Sequence, residues 1–249
     1  MMRSRLGLKA LGLCALVVGL MAVGGGVAQG ETGAAWKVNG TTVDSTLLPQ
    51  LQVAELEGSD GTLLSTLTGK KVELLCTGMA VEALKLSTEG IIDTGAKGHF
   101  TGCIFKWGGA LQSKCTPHSK GDPEGLIKTL ALHGLMQLHE VSAGLKEGTA
   151  LILPDVGELI VLIILGKEGV SNECAAGEEL TVNGKFSAKD ANKKFSTEEI
   201  THLAVELPAL TDLWILNKTV EHKATLDGSA VFALTGAMHV GLKWSGLPK

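Results

Sequence analysis

Alternation between apolar and polar residues marks several segments of the chain. Segments 72–76, 126–139 and 179–188 alternate in this way, and a period of two places successive side chains on opposite faces of a strand. The run 159–165 is apolar throughout, as expected for a strand that is buried on both faces. Residues 196–199 are the one segment whose capping spacing is typical of a helix start.

Glycine-rich turn signals separate about a dozen such short segments. This pattern predicts an all-β fold, an antiparallel sandwich or barrel of about a dozen short strands with at most one short helix. We expect 87–98 to be a loop, Asn39-Gly40 to be a turn, and Asp227-Gly228 to be a two-residue hairpin turn. If the chain divides into two domains, 117–125 is the expected boundary.

The first thirty residues predict export. Met1 to Lys9 carries three basic residues and no acid, and a short apolar run and then small residues around Ala28 and Gly30 follow. These are the three parts of a cleaved secretory signal peptide. The apolar run is too short to span a bilayer, which needs about 20 residues. We therefore expect residues 1–30 to be removed and 31–249 to form a secreted, extracellular β-rich domain.

The charge of the remaining chain limits its partners. The predicted signal peptide holds three of the 22 basic residues and none of the 26 acidic ones, so residues 31–249 carry seven more acidic than basic residues. Nucleic acids and anionic membrane surfaces favour clusters of Lys and Arg, so neither is an expected partner. No segment after the signal peptide is predicted to span a membrane.

Four cysteines remain after cleavage: Cys76, Cys103, Cys115 and Cys174. An even number of cysteines in an exported chain predicts two disulfides, with three possible connectivities. A structural zinc site would need closely spaced cysteine pairs, which this sequence lacks.

The segment 99–118 favours one connectivity. Gly108-Gly109 indicates a hairpin turn, and a three-residue loop centred on Gly109 would place Cys103 directly opposite Cys115. Residues in that relation are close enough to bridge, so the preferred pairs are Cys103 with Cys115 and Cys76 with Cys174. The main competing pairing is Cys76–Cys103 with Cys115–Cys174, because residues 76 and 103 are symmetric about Glu89-Gly90.

No catalytic, cofactor-binding or metal-binding residue is predicted. The sequence contains no G-x-S-x-G motif. His133 and His139 lie about 20 Å apart along a strand, too far to share one ion. His99 and His118 flank the predicted hairpin and form a weak candidate site if they approach each other. Packing is the expected role of Trp36 and Trp244, which could otherwise contribute to a carbohydrate platform.

Several motifs around the cysteines carry a family resemblance. They are Phe100-Thr-Gly-Cys103, Cys115-Thr-Pro-His118, Glu173-Cys-Ala-Ala-Gly-Glu178 and Gly241-Leu-Lys-Trp-Ser-Gly246. The chain resembles an uncharacterised group of exported β-rich proteins from high-GC Gram-positive (actinobacterial) soil bacteria. The resemblance implies a shared fold, export and shared cysteine positions, and it carries no established activity.

Three functional hypotheses follow. The leading one is a non-enzymatic, disulfide-stapled exported domain with a structural or interaction role at the cell surface or outside the cell. The alternative is an extracellular binder of an apolar or saccharide ligand, and the third is a secreted hydrolase without a readable motif. An interior cavity of several hundred Å³ with few polar groups would favour the binder.

Overall fold

The computed structural model describes residues 34–47, 50–54, 61–142, 145–167, 174, 179–192, 198–207, 211–236 and 238–248. The predicted signal peptide lies outside these residues. The elements, in chain order, are β1 (Ala34–Val38), β2 (Thr41–Thr42), β3 (Gln50–Ala54), β4 (Gly61–Leu67), β5 (Lys70–Cys76), β6 (Gly78–Glu82), a 3₁₀ turn (Thr88–Gly90), β7 (Ile91–Thr101), β8 (Ile104–Trp107), β9 (Ala110–Leu111), β10 (Pro117–His118), β11 (Ile127–Lys128), β12 (Leu132–Ser142), β13 (Leu145–Pro154), β14 (Leu159–Leu165), β15 (Glu179–Asp190), β16 (His202–Leu207), β17 (Thr211–Asn217), β18 (Val220–Thr235) and β19 (Trp244–Pro248).

The all-β antiparallel prediction, with two disulfides and at most one short helix, is confirmed. The described residues hold more strands than the dozen expected, and some are long. The loop prediction for 87–98 is wrong, because β7 starts at Ile91 and pairs with β6 and β12. The hairpin prediction at Asp227-Gly228 is also wrong: β18 runs straight through these residues, which pair with β4. The turn at Asn39-Gly40 is confirmed, with positive φ at both residues.

Two long strands, β15 and β18, are shared by two halves of the large sheet. In the first half, the strands pair in the order β8-β5-β4-β18-β17-β15-β14-β10, using residues 220–228 of β18 and 179–186 of β15. Its core cluster contains all four cysteines, so we call it the disulfide half. In the second half, the order is β6-β7-β12-β13-β15-β16-β18-β3. Its core cluster contains Trp36 and Trp244, so we call it the tryptophan half.

The disulfide pairs are Cys76–Cys103 and Cys115–Cys174, so the preferred connectivity is wrong and the competing one is confirmed. The loop at Gly108-Gly109 has two residues rather than three, because Trp107 pairs with Ala110. This shift of one residue removes Cys103 from its expected position opposite Cys115, and a one-residue slip also reverses the faces of a strand.

Cys103 instead lies across from Cys76. Leu75 pairs with Ile104, and Gly78 pairs with Thr101 in the same register. Cys76 and Cys103 therefore face each other at the point where both strands are interrupted, with a Cα–Cα distance of 4.0 Å. Cys115 and Cys174 have a Cα–Cα distance of 5.6 Å.

The two ends of the described chain form a separate small sheet. β1 pairs with β19 along its whole length and with β2. The rings of Trp36 and Trp244 lie 6.3 Å apart between their centroids and are almost fully buried. The packing role expected for these two tryptophans is therefore confirmed, and their burial is incompatible with an exposed carbohydrate platform.

Strands that precede and follow the segment 117–125 pair with each other. β7, which precedes it, pairs with β11 and β12, which follow it, and β10 at its start pairs with β14. In the ranges listed above, no helix is long and apolar enough to cross a membrane.

Candidate functional site

A cavity of about 210 Å³ lies between the two hydrophobic clusters. The disulfide half contributes Leu74 and Val182 to its lining, and the tryptophan half contributes Met136, Trp36 and Trp244. Protein interiors are usually packed as densely as organic crystals, with few voids larger than a water molecule. A space of this size is therefore a distinct feature of the interior.

Small residues on neighbouring strands leave this space open. Ala150 on β13 pairs directly with Ala188 on β15, and both line the cavity. Gly148, two residues before Ala150, also lines it, and a Cβ at Gly148 would lie 3.3 Å from Cε of Met136. The adjacent pair, Ile152 with Phe186, is large. The size of the cavity is thus set by the absence of side-chain volume at a few positions.

The few polar residues in the lining are already engaged in the fold. The Thr129 hydroxyl accepts a hydrogen bond from the Gly98 N–H at 2.8 Å, and the Thr129 methyl carbon lies 3.4 Å from the position of a Cβ on Gly98. Thr149, which is also in the lining, is buried and has a polar partner. We conclude that the interior offers a bound molecule apolar contacts rather than hydrogen bonds.

Lys97 and His133 are the ionisable side chains among the described lining residues. Lys97 is exposed. His133 Nδ1 lies 3.1 Å from Oδ1 of Asp155, and Oδ2 of Asp155 accepts the Gly95 N–H at 2.8 Å. Away from the exposed Lys97, an ionised ligand buried in the cavity would therefore lack a free counter-ion, and burying an unpaired charge is strongly unfavourable.

The His133–Asp155 pair holds an irregular part of β7. Between the pairs Leu132–Ala96 and Gly134–Ile92, the register of β12 and β7 shifts, because β12 advances by two residues there and β7 by four. The region around Gly134 is tightly packed, since a Cβ there would approach Cδ1 of Ile92 to 3.0 Å. His133, which the sequence placed on a strand face, is thus paired with Asp155.

A scan against protein-family models and searches of curated proteins and of solved structures found no match.

The structure gives His99 and His118 different partners. His99 Nε2 lies 3.1 Å from a carboxylate oxygen of Glu82. His118 is buried, with Nδ1 3.5 Å from the carbonyl oxygen of Thr116. Among the described residues, no group of three or more His, Cys, Asp or Glu side chains could hold a metal ion.

Sequence reasoning missed the cavity. Ala188 belongs to the alternating segment 179–188 and lines the cavity. However, Ala150 and Ala188 become neighbours through the pairing of β13 with β15, which are far apart in the sequence. The small side chain of Ala188 among larger apolar residues was the available signal for a cavity. The sequence did not show which residue would lie opposite it.

Proposed function

We propose that this protein is an exported, disulfide-stabilised β-protein that binds a small, neutral, apolar molecule in the cavity between its two halves. Of the three hypotheses drawn from the sequence, the apolar lining of the cavity favours the ligand binder, and its volume restricts the proposal to a ligand smaller than those held by pockets of several hundred Å³. A purely structural domain has no need of an open interior, and empty core volume reduces stability by about 24 cal/mol per Å³. The proposal includes no chemical step.

The cavity volume limits the size of the ligand. A dry apolar cavity of about 150 Å³ is known to bind benzene. By proportion, about 210 Å³ accommodates roughly eight non-hydrogen atoms. Burial contributes about 0.8 kcal/mol per methylene-sized group, or about 6 kcal/mol for a ligand of this size, so we expect a dissociation constant on the order of 20 μM.

Export is supported by the predicted signal peptide and the two buried disulfides. Disulfides persist in oxidising environments such as the outside of the cell. The resemblance to exported actinobacterial proteins points in the same direction. A secreted protein with a neutral apolar site suits the capture of a small hydrocarbon-like molecule outside the cell.

Tryptophan fluorescence tests the proposal directly. The chain has four tryptophans and no tyrosine, and Trp36 and Trp244 line the cavity. In the double variant W107F/W214F, the remaining emission comes from these two cavity residues. Bromobenzene, a neutral heavy-atom quencher, should quench this emission saturably. The matched anion 4-bromobenzoate should bind at least about 100-fold more weakly, because its carboxylate would be buried without a partner.

A pair of matched substitutions connects binding to the cavity. Ala150→Leu adds three carbon atoms to the lining and should weaken bromobenzene binding about tenfold or more. Ala80→Leu adds the same atoms at an exposed position of β6 and should leave binding unchanged. Quenching that does not saturate, or that responds equally to both variants, would refute a ligand site in the cavity.

A further inference from the structure

The wall of the tryptophan half contains one junction without backbone pairing among the described residues. Its eight strands pair in sequence from β6, through β7, β12, β13, β15, β16 and β18, to β3. β3 and β6, at the two ends of this series, lie side by side. Their described pairings are with β18 and β7 respectively. We call this junction the β3–β6 seam.

β3 and β4 are spaced differently along β18 than they are in the sequence. Both β3 and β4 pair with the same edge of β18, through Val53–Phe232 and Leu63–Leu226. Val53 and Leu63 are ten residues apart in the sequence, whereas their partners on β18, Phe232 and Leu226, are only six residues apart. Among the described pairs, the ladder that joins β4 to β5 ends at Gly61–Cys76 and does not continue between β3 and β6, although β6 directly extends β5.

The inner face of β6 belongs to both the seam and the cavity. Met79 and Val81 line the cavity and are partly exposed, whereas the alternating residues Ala80 and Glu82 are exposed. Phe232, whose backbone pairs with β3, also lines the cavity and is partly exposed. The apolar lining thus reaches the surface along this strand.

We propose that the ligand enters and leaves the cavity through the β3–β6 seam. The inference rests on the proposed function of the cavity. Passage through any other described junction of this wall would break backbone hydrogen bonds, and a buried unpaired group is costly. At the seam, the side chain of Met79 on β6 is unbranched and adaptable, so it can move aside without breaking a backbone hydrogen bond.

Single cysteines on β6 test the route. The four native cysteines of the domain are in disulfides, so a thiol introduced by Val81→Cys is the site of reaction with a polyethylene glycol maleimide. Ala80→Cys, on the exposed face of the same strand, provides the matched control. Exchange of fluorobenzene is then measured by ¹⁹F NMR before and after labelling, together with the bound fraction at equilibrium.

We expect labelling at position 81 to slow fluorobenzene exchange about tenfold or more, since escape then requires opening a paired junction. Labelling at position 80 should leave the rate unchanged. Equal exchange rates in the two labelled proteins, or failure of the thiol at position 81 to react, would overturn the seam as the route. If fluorobenzene does not bind the unlabelled protein, the proposed function itself fails.

Discussion

Removing the Cys76–Cys103 disulfide should lower the free energy of unfolding by about 3.5 kcal/mol. The bridge joins residues separated by 27 positions, and closing a loop of that length lowers the entropy of the unfolded chain by roughly 12 cal/mol/K. The double variant C76A/C103A removes both thiols and leaves the other bridge intact. For the bridge between Cys115 and Cys174, with a separation of 59, the same relation gives about 4.2 kcal/mol.

Urea unfolding followed by tryptophan emission measures this difference in the free energy of unfolding. The chain contains no tyrosine, so the emission comes from tryptophan. A loss below about 1 kcal/mol for C76A/C103A would refute the expected chain-entropy effect. The connectivity is checked separately with the single variant Cys103→Ala, in which one thiol is left unpaired. Alkylation of the unreduced protein should then modify Cys76. Modification of Cys115 instead would show that Cys103 pairs with Cys115 and would contradict the connectivity in the structure.

Two further perturbations test local features. Gly184→Ala should destabilise the fold by several kcal/mol, because Gly184 has a φ of 110° and a Cβ there would clash with the carbonyl oxygen of Asp212. The control Gly157→Ala, at a φ of 65° with open space around it, should cost about 1 kcal/mol. Similar losses for the two variants in urea unfolding would contradict the clash. The Thr46 hydroxyl and N–H donate hydrogen bonds to Asp44 and hold the pKa of that carboxyl below its usual value of 3.8. The turn should therefore contribute stability above pH 3.8 and lose it as the pH falls through the lowered value. In an NMR titration Thr46→Val should raise the pKa of Asp44, and an unchanged titration would refute the role of the hydroxyl.

Local sequence patterns predicted the strands that bury one or both faces. Val72, Leu74 and Cys76 are buried on β5, and the run 159–165 coincides with β14. In each case the side chains of one segment determine its own burial, so a periodic pattern is enough. The Asn39-Gly40 turn was predictable for a similar reason, since positive φ is a property of the turn residues themselves.

Features that depend on pairing between distant strands could not be predicted. Asp227-Gly228 has the composition of a hairpin turn, but pairing with β4 and β16 keeps β18 extended there. The disulfide connectivity depended on whether the loop at Gly108-Gly109 has two or three residues, which the glycines alone do not decide. The cavity requires Ala150 and Ala188 to meet, and their register is set by two long strands.

The pairing of β1 with β19 has a consequence for the order in which the chain folds. β1 is the first described strand in the sequence and its partner β19 is the last, so the small sheet that packs Trp36 against Trp244 cannot form until all the other described strands have been synthesised. Contacts between such distant residues form slowly because a long loop must close first. The tryptophan half therefore cannot reach its final packing until β19 has been synthesised, however early its other strands pair.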